Sequence, residues 1–305
     1  MAGAMRTLLA VWVVFLLAVV AHVSAGSSAS SAGTILYILD PQQQAQLFSV
    51  ETSAPFSRRD LRIANVVDAA YAHGGAAIYV MRRPPSSQTV ELIRMRLDGT
   101  HQQILRARLP NSASFAVAPD DKSVALLSPQ GAILMVKLGV ASEPRTLVSD
   151  TVAHWIAWSG DGRTLYYTGG SRTPAGHCWS GVADLCAFDL LTDQTHTVGP
   201  LPPHVHANIN QEDLSLSADG RRIAFTTVAG PAAIAVMDTD GRHFHRLVIN
   251  RNAFSPAWSP NGNSIAYRVD LRGIVITDLQ HKTTRTIAIF TGADYPRLVG
   301  WNASR

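Results

Sequence analysis

A segment that recurs five times constrains this chain more than any other feature. It consists of an apolar anchor, a tight turn, and a mostly apolar strand. Its fullest form is Phe254-Ser-Pro-Ala-Trp258-Ser-Pro-Asn-Gly262-Asn-Ser-Ile-Ala-Tyr267. Asn-Gly suits the turn because both residues accept positive φ. Two further strands follow, at 274–277 and 285–289, so one unit is four antiparallel strands in about forty residues, the size of a propeller blade. The other copies place their turns at Gly75, Asp121, Gly162 and Gly220; with Gly262 the steps are 46, 41, 58 and 42. A constant core with a drifting step is what loop insertions on a repeat fold produce.

A sixth copy is split between the ends of the chain. Val299-Gly300-Trp301-Asn302 matches Pro256-Ala257-Trp258-Ser259, and the strands that should follow it stand at the other end, in 35–39, 44–50 and 61–64. The expectation is an all-β, six-bladed β-propeller over 34–305, closed by pairing of N- and C-terminal strands. Closure of that kind leaves no unpaired edge between blades. The position before the anchor holds Ala70, Ala116, Ala157, Ser215, Ala257 and Gly300, all small, as the crowded axis requires. The anchors are Tyr71, Val117, Trp158, Leu216, Trp258 and Trp301. All six are apolar or aromatic, as a core between blades needs.

Trp-Ser-Pro-Asn-Gly-Asn-Ser-Ile-Ala-Tyr at 258–267 and Leu-Ser-Ala-Asp-Gly-Arg-Arg-Ile-Ala-Phe at 216–225 resemble the repeats of TolB-type, WD40-like propellers. Ala235-Val-Met-Asp-Thr-Asp-Gly241, followed by Arg246-Leu247-Val248, is similar to the end of the same repeat. The resemblance covers 34–305, the propeller part, without the α/β domain that TolB proteins carry ahead of it. It implies an exported six-bladed scaffold with protein partners in the cell envelope.

Residues 1–25 read as a signal peptide, or as an uncleaved anchor. Arg6 is the only charge, Thr7 to Ala21 is continuously apolar, and Val23-Ser24-Ala25 suits signal peptidase. Residues 26–33 (GSSASSAG) read as a flexible linker. Export places the chain in the periplasm, in the medium, or on the extracytoplasmic side of a membrane held by 7–23. In that oxidising setting Cys178 and Cys186, the only cysteines, are expected to form a disulfide. A net charge of +4 is too mild for a nucleic-acid footprint. Lys122, Lys137 and Lys282 are the only lysines; the arginine excess reads as coding preference.

Asp238-Thr-Asp-Gly241 has the start of a calcium loop but too few oxygen ligands, and reads as a hairpin turn. His204-Val-His206 and His243-Phe-His245 would share a face on a strand, yet neither has a third metal ligand. Arg58-Arg59 with Arg62, and Arg82-Arg83, read as solvated loops. Asn302-Ala-Ser304 is a glycosylation sequon. Gly-x-Ser-x-Gly, His-Glu-x-x-His and phosphate-binding glycine loops are missing from the sequence.

The functional expectation is therefore a non-catalytic, monomeric propeller that binds a protein or peptide, without cofactor or metal. The alternatives are a hydrolase or lyase acting on a sugar or lactone at the channel mouth, and a membrane-tethered sensor ectodomain. Binding is expected on the face opposite the Asp-Gly turns, where Gly169 to Gly181 and Gly199 to Gln211 account for the 58-residue step. His177, Trp179, His204, His206 and Asn210 stand in those segments. Three residues before the anchors, Asp68, Ser114, Trp155, Asp213, Ser255 and Leu298 should ring the inner mouth, and Asp68, Trp155 and Asp213 are its candidate ligand contacts.

Overall fold

Six four-stranded antiparallel sheets follow one another along the chain as the blades of a propeller. The structure is a computed structural model and describes residues 32–40, 45–149, 153, 155–168, 185–198, 214–227, 232–247, 252–270, 273–290 and 296–303. Blade 1 holds β4 (Val66–Tyr71), β5 (Ile78–Arg82), β6 (Val90–Met95) and β7 (Gln103–Leu109). Blade 2 holds β8 (Ser114–Val117), β9 (Ser123–Leu127), β10 (Ile133–Lys137) and β11 (Arg145–Val148). Blade 3 holds β12 (Trp155–Trp158), β13 (Thr164–Thr168), β14 (Leu185–Asp189) and β15 (Gln194–Thr197).

Blade 4 holds β16 (Leu214–Leu216), β17 (Arg222–Thr227), β18 (Ala233–Asp238) and β19 (His245–Arg246). Blade 5 holds β20 (Ala253–Trp258), β21 (Ser264–Val269), β22 (Gly273–Asp278) and β23 (Thr284–Ile289). The sixth blade joins the two ends of the propeller. Its order is β24 (Arg297–Ala303), β1 (Gly33–Leu39), β2 (Gln46–Glu51) and β3 (Arg58–Ala64). Ile35 pairs with Trp301 and Leu36 with Gly300, as the split sixth repeat requires.

Each blade is covered on both faces by its neighbours, so its middle strands have no polar side. Ala233–Met237 and Gly273–Thr277 are buried without interruption. The outer strand β3, by contrast, exposes Arg58, Arg59, Asp60 and Arg62. The apolar side chains fall into six clusters, one for each contact between neighbouring blades. Every anchor lies in the cluster shared with the preceding blade: Tyr71 with blade 6, Val117 with blade 1, Trp158 with blade 2, and so on to Trp301 with blade 5. The core of this protein is thus a ring of seams.

Two anchors also hook those seams with a polar bond. Trp158 Nε1 donates to the Ala116 carbonyl at 3.1 Å, and Trp258 Nε1 donates to the Ser215 carbonyl at 3.1 Å. Each acceptor is the small residue of the preceding blade. Only a small side chain lets the indole come this close to that backbone.

The turns explain why Ser, Asp and Gly recur together. Ser217 Oγ donates to Asp219 Oδ1 at 2.5 Å and accepts from the Arg222 amide at 2.9 Å. The Arg221 amide donates to the same carboxylate oxygen at 3.1 Å, and Gly220 takes the positive φ of 67° that closes the turn. Ser159-Gly-Asp-Gly162 and Ser259-Pro-Asn-Gly262 repeat these bonds. Asp121 performs the glycine's part in blade 2 with φ 55°.

Arginine does more than coding preference suggests. Arg106 of blade 1 donates to the carbonyls of Lys137, Val140 and Ser142 in blade 2. Arg145 of blade 2 binds both oxygens of Asp193 in blade 3, at 2.7 and 2.8 Å. Arg222 joins blade 4 to the Gly262 carbonyl of blade 5, and Arg285 joins blade 5 to the Thr52 carbonyl of blade 6. A guanidinium reaches across a seam with several donors at once, which an ammonium cannot match. The clusters expected to be solvated loops are met in part, since Arg83 is exposed in the loop after β5 while the others stand on strands. Arg58, Arg59 and Arg62 lie on β3, with Arg58 5.0 Å over the Phe48 ring; Arg82 ends β5 and pairs with Glu91, and Arg83 donates to Asn111.

Candidate binding site at the central channel

All six inner strands contribute to a cavity of about 310 Å³ on the axis. The blade-to-blade connections end at Asp68, Ser114, Trp155 and Arg297; His73, Pro119, Gly160 and Ala218 lie at the turn end. The predicted ring of residues is met in part. Asp68, Ser114, Trp155 and Leu298 line the cavity. Ser255 is buried in a β-bulge, at φ 51°, and Pro256 takes its place in the lining. Asp213 lies outside the described residues.

Asp68 is the centre of this end. Its side chain is only 9% exposed and forms a salt bridge with Arg297, itself 15% exposed, at 2.9 Å. Oδ1 accepts from Arg297 Nη1 and from the Ala69 amide at 2.9 Å each. Oδ2 accepts from Ser114 Oγ at 2.7 Å and from the Phe115 amide at 3.1 Å. Arg297 also donates through Nη2 to the Val67 carbonyl at 2.6 Å. A carboxylate offers about four lone-pair sites, and all four are occupied here. The result ties together blade 6, blade 1 and blade 2. Sequence reasoning found Asp68 but passed over Arg297, whose signal was its place one residue ahead of the ring position held by Leu298.

Trp155 is half-buried and lines the cavity while it packs against the apolar cluster in the seam between blades 3 and 4. It has a structural role as well as a place in the cavity wall. Tyr71, also in the lining, donates its hydroxyl to the Thr34 carbonyl at 3.0 Å, and burial pushes its ionisation far above the ordinary tyrosine range. It is therefore a fixed neutral donor at the closing seam. Among the described residues, Asp68 is the one carboxylate in the lining, and no three histidine, cysteine or acidic side chains converge as a metal site.

His177, Trp179, His204, His206 and Asn210 lie outside the described residues, as does Cys178. Cys186 is fully buried on β14, opposite Tyr167 and Thr197. His243 and His245 do not form the strand pair that their spacing suggested. His243 takes φ 53° and binds Asp238 at 2.6 Å, while His245 donates Nδ1 to the His243 carbonyl at 3.1 Å. Asp238 to Gly241 closes a hairpin turn, with the Gly241 amide donating to the Asp238 carbonyl. Asn302 of the sequon donates to the Gly75 carbonyl at 2.8 Å, so its amide serves the closing seam.

The architecture is similar to that of TolB propeller domains. TolB from Acinetobacter baumannii superposes with a TM-score of 0.69 at 16% identity, over 89% of this chain and 67% of that one. A putative TolB from Agrobacterium tumefaciens gives 0.62 at 15% identity, over 88% of this chain and 98% of that one. A puromycin-hydrolyzing peptidase from Mycobacterium tuberculosis gives 0.57 at 14% identity, over 84% of this chain and 44% of that one. No protein-family model and no curated protein sequence matches the chain.

Proposed function

We propose that this chain is an exported, non-catalytic propeller scaffold that binds a protein or peptide in the cell envelope. The observation that carries this reading is the state of Asp68. With four donors on its two oxygens, it holds the ring together and has no lone pair left to accept a substrate proton. The TolB-like architecture supports the same reading. Binding is assigned to the end of the propeller where blades connect, around blades 3 and 4. His177, Trp179, His204, His206, Asn210 and Asp213 are its candidate contacts, beside Trp155, which lines the cavity. Loops on a rigid scaffold are where recognition usually resides, and an exposed tryptophan is a common anchor.

The chain is assigned to the extracytoplasmic side, with 1–25 removed as a signal peptide and 34–305 forming the propeller. N-terminal sequencing of the exported protein tests the cleavage. A pull-down from the envelope fraction supplies the partner, and shortening 170–181 and 200–210 separately tests the face. Loss of at least roughly tenfold in affinity from either deletion is expected. Unchanged affinity in both, with loss on substitution in the Asp-Gly turns, would place the site at the opposite end.

A further inference from the structure

A second cleft, of about 530 Å³, opens between blades 4 and 5. Much of its lining comes from residues that flank the tight turns: Arg222 after the first turn of blade 4, His245 and Arg246 after its third, and Lys282 and Thr284 at the third turn of blade 5. In a four-stranded antiparallel meander the first and third turns lie at one end and the second at the other, so the turns that flank this cleft lie away from the proposed partner face. The two sites are independent.

The charge of the lining is one-sided. Arg222, Arg246 and Lys282 contribute three cations, and no carboxylate lines the cleft among the described residues. The acids of the neighbouring turns lie outside the lining and have partners of their own: Asp219, whose field reaches Arg222, accepts from Ser217, Asp240 pairs with Arg242 at 3.7 Å, and Asp238 and Asp278 are engaged by His243 at 2.6 Å and His281 at 3.1 Å. Arg222 and Lys282 form no salt bridge among the described residues. Arg222 is held rigidly as well. Its guanidinium lies 4.5 Å over the Trp258 ring and spends one Nη2 bond, at 3.0 Å, on the Gly262 carbonyl. That leaves Nε and Nη1 as fixed donors. A planar cation already immobilised loses little entropy when it captures an oxyanion.

The floor adds hydroxyls and an apolar wall. Tyr267 and Thr277 share a hydrogen bond at 2.8 Å, and Thr277 and Thr284 share another at 3.1 Å. Val236, Leu247 and Leu279 supply the wall. A hydroxyl chain beside a fixed guanidinium suits the oxygens of an anion, while the wall suits a short apolar group attached to it.

We infer that the cleft between blades 4 and 5 binds a small phosphate- or carboxylate-bearing molecule with an apolar portion, held by Arg222, Arg246 and Lys282. Calorimetric titration of the full chain with phenyl phosphate, benzoate, inorganic phosphate and phenol tests this. Saturable binding of phenyl phosphate or benzoate below about 10 mM is expected, tighter than for inorganic phosphate or phenol and weakened by salt. The order of phenyl phosphate and benzoate distinguishes the two headgroups. Lys282→Glu, on an exposed turn, should weaken binding at least roughly tenfold, and Lys282→Arg should retain it. Absence of saturation, phenol binding as tightly as the anions, or a Lys282→Glu affinity equal to the parent would each overturn the proposal.

Discussion

Arg297 donates to Asp68 at 2.9 Å across the seam between the last inner strand and the first. These residues stand 229 positions apart in the sequence, and their pair forms only when the ring is closed. Ser114 and the Phe115 amide extend the bond into blade 2, so three blades meet on one carboxylate.

Removing one partner of so buried a pair leaves an uncompensated charge. Asp68→Ala is expected to cost about 3–5 kcal/mol, and Arg297→Ala a similar amount. The double variant should cost clearly less than the sum, because neither charge is then stranded. Urea unfolding of the four proteins gives the coupling directly. Additive losses would mean that the two side chains act separately.

The anchor tryptophans provide an internal comparison. Trp158 and Trp258 donate to backbone carbonyls across their seams, whereas Trp301 Nε1 is buried with no acceptor among the described residues. Tryptophan-to-phenylalanine changes remove the N–H in all three. Trp158→Phe and Trp258→Phe should therefore cost about 1 kcal/mol more than Trp301→Phe, since only they lose a hydrogen bond. Equal losses at all three positions would show that ring packing alone governs these sites.

Turn acids should make stability fall in acid. Hydrogen bonds from Ser159 and from Ser217 hold the carboxyls of Asp161 and Asp219 below the ordinary aspartate range. A depressed folded-state value means that the unfolded chain takes up the proton first. The contribution is complete above the unfolded aspartate range and is lost as pH falls through the lower folded values. Asn261 makes the same bonds in blade 5 without titrating there. Asp219→Asn should thus keep the turn near neutral pH and flatten the acid dependence, while Asp219→Ala should cost about 1 kcal/mol at neutral pH. Thermal melts from pH 7 to pH 3 separate these outcomes.

Cys178 and Cys186 are proposed to be joined. A loop this short is worth about 2.5 kcal/mol on the chain-entropy view. Alkylation followed by intact-mass measurement should label neither cysteine before reduction and both after reduction and unfolding. Labelling of the unfolded chain without reductant would rule the bridge out.

The sequence by itself determined the repeat. The anchor, the small residue before it and the Ser-Asp-Gly turn are local requirements of backbone geometry and of crowding at an axis. They predicted six blades, an inter-blade place for the anchors, and closure of the ring by pairing of the N- and C-terminal strands, whose register the structure then sets with Ile35 opposite Trp301. Tertiary structure decided what the polar groups do. Asp68 was legible as a ring residue, but its partner Arg297 depends on closure of the two ends. Arg58 and Arg59 carry no local signal for a strand, and their order comes from pairing with Val50 and Ser49. His243 and His245 fit a two-residue strand period until the turn at Gly241 sets His243 in the left-handed region. The cleft of Arg222, Arg246 and Lys282 joins two repeats whose sequences are read one at a time. Apolar patterning survives a local reading because burial acts on each residue alone. Hydrogen bonds and ion pairs need two partners at a fixed distance, and only the folded ring supplies it.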